Sequence, residues 1–272
     1  MSTLETFFSH FSLDRRGHPR DVLSGVVRAF SCLPYENLTK ILKKEGVGNS
    51  AQARREPLEV VRDHIAWGTG GTCFSLAWTL LHLCRSLGYE AAPVLADRRY
   101  GENTHCAVVL RLDGRPHLLD PGFLIQNPVH LDGCKELRLA TPFNRLVLRP
   151  RDGGEKVDLF TEQQESPQAS PAYRLTFKMA PVDESQFVAV WESSFDWDMM
   201  RYPLLTQVKD ERHVYLQGRK LQRRSGQSVY RSEVEPEKLV ERVALEFGIN
   251  VKIVASALDV LGRRGEMRRD VS

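Results

Sequence analysis

Several features that would assign the sequence to a class at once are absent. No apolar run reaches the roughly 18 residues that a membrane span needs. The 272-residue chain shows no basic region followed by an apolar region, as a signal peptide would at its N-terminus. Its net charge of +3 is too small to indicate nucleic acid or an anionic membrane as partner. We therefore expect a soluble protein with neither nucleic acid nor a membrane as partner.

Paired cysteine spacing is also missing. There are five cysteines, an odd number, and no C-x-x-C pair: Cys32, Cys73, Cys84, Cys106 and Cys134. A disulfide framework or a zinc site would show paired spacing, and the eight histidines show no H-x-x-x-H spacing either. We expect a cytoplasmic location, no metal, and buried thiols apart from Cys73.

The glycines at 68, 70 and 71 do not form a nucleotide-binding motif. A dinucleotide fingerprint read from Gly68 would need a glycine where Cys73 stands, and no Lys-Ser/Thr follows as in a phosphate-binding loop. What remains is a chain with 42% apolar and 27% charged residues, typical of a globular protein. Its length fits one complex domain or two to three small ones.

The first third of the chain has helical spacing. Helices are predicted after Pro19, from Tyr35 and from Pro57, where apolar residues recur three and four positions apart. The segment from about Cys73 to Leu87 is apolar on nearly all sides. Such a helix is expected to be buried.

The middle of the chain has strand-like spacing. Between residues 91 and about 190, short segments alternate with turn residues, and Asp113-Gly114 is a strong hairpin signal. Many short strands at this spacing predict a barrel or sandwich-like unit. The last part is mixed, with a helix predicted within 187–200, a meander over 213–234, and helices over 236–249 and 251–264.

Cys73 follows the Gly70-Gly71 turn and opens the apolar helix. A helix N-terminus carries partial positive charge and unpaired N–H groups, which lower the pKa of a cysteine placed there. The two glycines would let another molecule approach the backbone closely. Taken alone, Cys73 fits a core cysteine better than a nucleophile, so its assignment depends on partners.

His105 and Asp120 are the candidate partners, each at the edge of a strand-like segment. If Asp113-Gly114 forms a two-residue hairpin loop, Asp120 faces Ala107, which shares a strand face with His105. The two side chains are then diagonal neighbours, about 7–8 Å apart at the backbone. A four-residue loop keeps this parity, whereas a three-residue loop would separate them. Imidazole can then take the thiol proton while the carboxylate orients the ring, which suits acyl transfer or hydrolysis.

Five segments, spread over nearly the whole chain, carry the pattern of a known family. LPYENLTKIL (33–42) resembles its P-F-E-N-L segment. Residues 70–99 resemble its nucleophile helix and following strand, and residues 104–123 its histidine strand and Asp-x-Gly-Phe strand end. Residues 172–187 and 238–249 match later landmarks. The chain resembles an arylamine N-acetyltransferase, a member of the papain/transglutaminase-like group.

The resemblance implies an α+β fold with a papain-like catalytic core. A helical bundle over residues 1–89 would carry the nucleophile. A β-barrel over 90–190 would carry the histidine and aspartate, and an α/β lid would span 191–272. Position by position, Cys73, His105 and Asp120 fall on the family's catalytic triad.

The resemblance also implies the reaction. An acetyl group would pass from acetyl-CoA, as co-substrate, to Cys73 and then to an arylamine or hydrazine in ping-pong order. The partners would be a small amine and an acyl-CoA, with no metal. Further candidates in the matching segments, for binding substrate or CoA, are Tyr35, Gly71, Thr104 and Phe123.

The chain departs from the family pattern beside the nucleophile. The pattern R-G-G-x-C-x-E-x-N has its arginine, glutamate and asparagine where this chain has Thr69, Ser75 and Ala77. The segment 192–200 is altered as well. Three alternatives therefore stay open: an amide synthase or acyltransferase using another thioester, a cysteine hydrolase or transglutaminase-like enzyme, and an inactive scaffold that binds a ligand.

Overall fold

The computed structural model describes the chain apart from residues 123–124, 126, 134, 142, 163–169, 210–211, 227 and 267–272. Its helices are α1 (Thr3–His10), α2 (Pro19–Phe30), α3 (Leu38–Val47), α4 (Ser50–Ala53), α5 (Pro57–Trp67), α6 (Cys73–Ser86), α7 (Glu184–Ser193), α8 (Leu239–Phe247) and α9 (Val251–Arg263). None in the described part of the chain is long and apolar enough to cross a membrane.

The strands form two antiparallel sheets. They are β1 (Tyr35–Glu36), β2 (Ala91–Arg98), β3 (Gly101–Leu112), β4 (Arg115–Leu119), β5 (Val129–His130), β6 (Leu137–Ala140), β7 (Arg145–Arg151), β8 (Lys156–Glu162), β9 (Ala172–Lys178), β10 (Leu204–Lys209), β11 (Arg212–Gln217), β12 (Lys220–Ser225) and β13 (Ser228–Glu233). One sheet has eight strands in the order β5-β4-β3-β2-β9-β8-β7-β6 and is curled into a half-barrel. The other has the order β1-β10-β11-β12-β13, which confirms the predicted meander.

The predicted helices are present, with differences at their starts. α1 was not predicted, although Ser2 and Glu5 form a capping box in which each side chain accepts from the other's backbone N–H. The helix expected from Tyr35 begins instead at Leu38. Tyr35 and its neighbour form β1, because they pair with β10 at Thr206. The predicted division into three domains remains a prediction.

The β3–β4 hairpin has the geometry that the sequence predicts. Leu112 pairs with Arg115 across a two-residue loop. Asp113 and Gly114 both have positive φ, 50° and 73°, as a type I′ turn requires. Register and face along β3 and β4 are therefore fixed by this local turn.

Strand β3 separates two cores, because successive side chains point to opposite faces. Cys106, Val108 and Leu110 pack with helix α6 in the larger core. Ala107 and Val109 belong to a second core on the other face of the half-barrel. Helix α6 is thus held against the sheet over its length, and its first residue lies at the edge where β3 begins.

Candidate active site

Cys73 lies at the first position of α6, with 3% of its surface exposed. Strand β1 holds the turn before it: the Gly71 N–H donates to the Pro34 carbonyl (3.2 Å), and the Glu36 N–H donates to the Gly71 carbonyl (3.0 Å). A Cβ on Gly70 would lie 1.9 Å from the Pro34 carbonyl oxygen. The close approach that Gly70 permits is therefore to the chain's own backbone, and not to a ligand as the sequence suggested.

His105 and Asp120 meet as the hairpin geometry predicts. Both side chains are fully buried, and His105 Nε2 lies 2.7 Å from Asp120 Oδ2. A buried carboxylate at this distance fixes the orientation of the ring and stabilises its protonated form. The other ring nitrogen, Nδ1, lies 3.2 Å from Nη2 of Arg98.

His105 and Cys106 both lie beside Cys73 and act on the pKa of its thiol. The hydrogen bond with Cys106, together with the hydrogen bond and charge of His105 and the charge of Arg98, holds the pKa of Cys73 well below its ordinary value despite burial. Burial lowers the pKa of His105, but the charge and hydrogen bond of Asp120 outweigh it and bring the pKa to about 9. Burial and the contact with Cys73 raise the pKa of Cys106. These directions favour a thiolate at Cys73, an imidazolium at His105 and a neutral thiol at Cys106.

Gly122 closes the site from the loop after β4. A Cβ at this position would lie 2.8 Å from His105 Cε1, 2.9 Å from Cys73 Cβ and 3.3 Å from Asp120 Oδ1. Real Cβ atoms essentially never approach so closely. Only glycine therefore leaves the three side chains in their present contact.

The other candidate residues have different surroundings. Tyr35 forms an isolated parallel bridge with Gly71, and burial followed by the charge of Cys73 raises the pKa of its phenol. The Thr104 hydroxyl donates to the Gly101 carbonyl within its own strand (3.0 Å). Phe123 lies outside the described residues.

A cavity of about 510 Å³ lies beside this group, between the half-barrel and the five-stranded sheet. Its lining includes Gly122 and Tyr35 at the nucleophile end, and arginines from both sheets. Among the described residues, no group of three or more His, Cys, Asp or Glu side chains is placed to hold a metal ion. Guanidinium groups line the cavity itself, and Cys73 and His105 lie next to it, in contact with its lining residue Gly122.

Three residues of the site were missed from the sequence: Arg98, Cys106 and Gly122. Gly122 follows Asp120 by two positions, so its place in the strand-end segment was a usable signal. Cys106 follows His105 directly, but strand alternation gives no reason to expect both beside Cys73. Arg98 lies near His105 only because strands β2 and β3 pair, with Arg98 opposite Gly101.

The model of the N-acetyltransferase family matches residues 21–256 of the chain. The chain belongs to the arylamine N-acetyltransferase family. No curated protein matches the chain. The family match spans both sheets and all of the candidate residues.

Solved arylamine N-acetyltransferases share the fold. The Salmonella typhimurium enzyme is 18% identical with a TM-score of 0.74, over 95% of this chain and 98% of its own. The Mycobacterium marinum enzyme in complex with CoA is 18% identical with a TM-score of 0.74, over 96% of this chain and 97% of its own. A Bacillus cereus enzyme with a Cys-His-Glu catalytic triad is 16% identical with a TM-score of 0.72, over 92% of this chain and 99% of its own.

The departures from the family pattern lie directly behind the nucleophile. Thr69 is fully buried, and its hydroxyl has no hydrogen-bond partner among the described residues. The Ser75 hydroxyl donates to the Thr72 carbonyl at 3.2 Å, and Ala77 is packed in the core. None of the three supplies a charge, so any ion pair behind the turn has to come from elsewhere in the chain.

Arg55, just before α5, provides that charge. Its Nη1 donates to the Gly70 carbonyl at 2.6 Å and to Thr39 Oγ1 at 2.7 Å, and its Nη2 donates to Asp63 Oδ2 at 2.7 Å. Glu36 Oε1 lies 3.8 Å from the same guanidinium. Arg55 is 3% exposed and Glu36 is fully buried, so the turn before Cys73 is braced by a buried ion-pair network from a neighbouring segment.

The remaining cysteines differ from one another. Cys84 and Cys106 are buried as expected, but Cys32 is exposed, because it follows the end of α2 at the protein surface. Burial raises the pKa of Cys84 to about 12. Cys134 lies outside the described residues. Of the cysteines that the structure describes, Cys73 is the one whose pKa is held down.

Proposed function

We propose that this protein transfers an acetyl group from acetyl-CoA to an arylamine or hydrazine nitrogen, through a thioester on Cys73 and in ping-pong order. The observation that carries the proposal is the buried group of Cys73, His105 and Asp120 around Gly122, a residue that lines the neighbouring cavity. Membership in the arylamine N-acetyltransferase family supports it. A structurally similar enzyme in complex with CoA supports acetyl-CoA as the donor.

The first half-reaction uses the thiolate. Cys73 Sγ attacks the thioester carbonyl carbon of acetyl-CoA, a new C–S bond forms, and the CoA thiolate leaves and takes a proton from the His105 imidazolium. Asp120 keeps the ring oriented throughout. The product is an acetylated Cys73 beside a neutral His105.

The second half-reaction consumes the acceptor. The amine nitrogen attacks the acetyl carbon on Cys73 while His105 takes the proton that the nitrogen loses. The C–S bond breaks and restores the thiolate–imidazolium pair. Water is a poor substitute at this step because the site is buried, so the acyl-enzyme is expected to persist until an amine arrives.

Intact-mass measurement tests this proposal. The full chain is mixed with acetyl-CoA, then with an arylamine such as aniline or a hydrazine. We expect one acetyl adduct, its loss only after amine is added, and no adduct in Cys73→Ala. Cys32→Ala, which removes the exposed thiol, serves as the matched control and should acylate normally.

The same measurement separates the alternatives. Rapid loss of the adduct in water without amine would favour a hydrolase. Acylation by other thioesters but not by acetyl-CoA would favour an acyltransferase with another donor. Undiminished acetyl transfer in Cys73→Ala would contradict the proposal.

A further inference from the structure

We propose that the substrate of this protein carries a carboxylate, which the guanidinium groups of the cavity bind while the reacting atom lies at Cys73. This inference rests on the proposed function, since it names the substrate class of the same site. It starts from the charges that line the cavity. Those charges are all of one sign among the described residues: Arg98 from β2, Arg174 from β9 and Arg224 from β12 are present, and no aspartate or glutamate of the described chain lines the cavity.

Two of these arginines, Arg98 and Arg174, have no carboxylate among their hydrogen-bond partners in the described part of the chain. Nη1 of Arg98 donates to the Tyr100 hydroxyl at 2.6 Å, and Nε of Arg174 donates to Thr161 Oγ1 at 2.7 Å. Within the described part of the chain, neither takes part in an ion pair with a carboxylate. Arg98 lies beside the Cys73 thiolate, whereas the hydroxyl at Arg174 satisfies one N–H group and does not balance the charge. A guanidinium has further N–H groups in a fork that suits a carboxylate.

The cations also lie close enough to affect one another. Burial, followed by the positive charges of Arg224 and Arg99, lowers the pKa of Arg174. Burial and Arg224 lower the pKa of His213, another lining residue, to about 4. His213 is therefore neutral and adds no repulsion. An anion entering the cavity would relieve the repulsion between the arginines, which favours its binding.

The place of Arg98 decides which part of the substrate carries the anion. Its Nη2 lies 3.2 Å from His105 Nδ1, beside the reacting thiol. The phosphates of acetyl-CoA are separated from the thioester by the long pantetheine arm, so they cannot lie at Arg98 while the thioester lies at Cys73. The group that meets Arg98 belongs to the acyl chain or to the acceptor amine.

Aromatic walls accompany the charges. Phe143 and His213 stack with ring centroids 4.2 Å apart, and Tyr35 and Tyr215 also line the cavity. Such a pocket suits a flat ring with a charged end. A carboxylate on an arylamine ring and a carboxylate at the end of an acyl chain share the chemistry that this cavity selects.

Two experimental arms distinguish these sources. In the acceptor arm, calorimetric titration of the full chain compares 4-aminobenzoate with neutral 4-aminobenzamide. In the donor arm, intact mass follows the rate of Cys73 acylation by succinyl-CoA and by butyryl-CoA, which carry identical CoA phosphates. We expect at least about tenfold preference for the carboxylate in one arm, the size of a hydrogen bond to a charged group.

Variants connect the preference to the cavity. Arg174→Met should reduce the carboxylate preference toward one, and Arg174→Lys should retain part of it. Arg151→Met is the matched control: this arginine of β7 is 51% exposed in its side chain and pairs with Asp158 at 3.0 Å, so the preference should not change. Melting temperatures of all three variants show whether they fold.

Each outcome has a definite meaning. A preference in the acceptor arm places the carboxylate on the amine, and one in the donor arm places it on the acyl group. No preference in either arm overturns the inference. The inference is also overturned if Arg174→Met weakens the binding of all CoA thioesters equally, whatever their acyl group. Arg174 would then bind the CoA phosphates and not a carboxylate. If no thioester acylates Cys73, the proposed function fails, while the acceptor arm still decides whether the cavity selects a carboxylate.

Discussion

The two sides of the cleft treat their arginines in opposite ways. On the helical side, Arg55 is buried with Glu36 and Asp63 and donates to the turn before the nucleophile. On the sheet side, Arg98 and Arg174 face the cavity with hydroxyl partners and no carboxylate partner among the described residues. The charge of Arg55 is balanced by carboxylates inside the fold, whereas Arg174 has no carboxylate to balance it among the described residues.

This difference separates arginines that stabilise the fold from arginines that are placed to bind a ligand. A buried ion pair held by several hydrogen bonds fixes local structure, and removing one member leaves an unpaired buried charge. A cation that lines a cavity contributes little to folding but can contribute a large part of ligand affinity. We therefore expect changes on the helical side to appear in stability and changes on the sheet side to appear in activity and specificity.

His105→Gln should give the largest effect on activity. The variant keeps a hydrogen-bonding side chain but loses the base, so kcat/KM is expected to fall on the order of a thousandfold. The pKa of Cys73 should also rise, because one of the groups that lowers it is removed. Steady-state kinetics with iodoacetamide labelling measures both. His82→Gln, an exposed histidine of α6, is the control, and equal losses in the two variants would contradict the assignment.

Arg55→Met should give the next largest effect, and on stability. It leaves the Glu36 carboxylate buried without a cation, which costs about 3–5 kcal/mol of unfolding free energy. Urea denaturation followed by circular dichroism measures it, with the exposed Arg62→Met of α5 as control. Arg98→Met should change stability by less than about 1 kcal/mol. If Arg98→Met destabilises as much as Arg55→Met, the contrast between the two sides is wrong.

Gly122→Ala tests the contact between the two sides. Its Cβ would push against His105 Cε1 and Cys73 Cβ, and displacement of catalytic groups by about 1 Å costs on the order of a hundredfold in rate. We expect kcat to fall by that amount. Gly114 is unsuitable as a control because its φ is positive; Gly46→Ala, where no atom lies within 4 Å of the added Cβ, is suitable. A fully active Gly122→Ala would mean that the loop after β4 adjusts freely.

The smallest effect is a difference in labelling between thiols. Cys32 is exposed, yet burial of its sulfur raises its pKa, whereas Cys73 is buried and its pKa is lowered. Iodoacetamide should therefore modify Cys73 below the ordinary thiol pKa of about 8.5, and Cys32 only above it. Because the pKa of His105 is about 9, its imidazolium is present below that pH and lost above it. Peptide mapping against pH measures both thiols, and equal profiles would contradict the lowered pKa of Cys73.

Local signals made part of the fold predictable. The Asp113-Gly114 loop sets the register of β3 and β4 by itself, so the meeting of His105 and Asp120 could be worked out from parity. Helix α6 follows from its apolar residues. Strand β1 could not be predicted, because its two residues are extended only through pairing with distant β10.

The candidate site, like the fold, was predictable only where local sequence patterns determine the structure. Cys73, His105 and Asp120 stand at the edges of regular elements, where sequence patterns are informative. Arg98 and Arg174 reach one cavity only after two sheets have been assembled around it. Arg55 replaces the charge missing at Thr69 from a separate segment, and no local pattern connects those two positions.

The pairing of β1 with β10 also affects when the site can form. Tyr35 bridges to Gly71 on one side and pairs with Thr206 on the other, so the turn before Cys73 is held by a segment far along the chain from Cys73. During synthesis the ribosome releases the nucleophile long before it releases residue 206. Pairings so distant in sequence form late in folding. The nascent chain therefore carries Cys73 for most of its synthesis without the completed turn that positions the thiol, and reactivity arrives together with the finished protein.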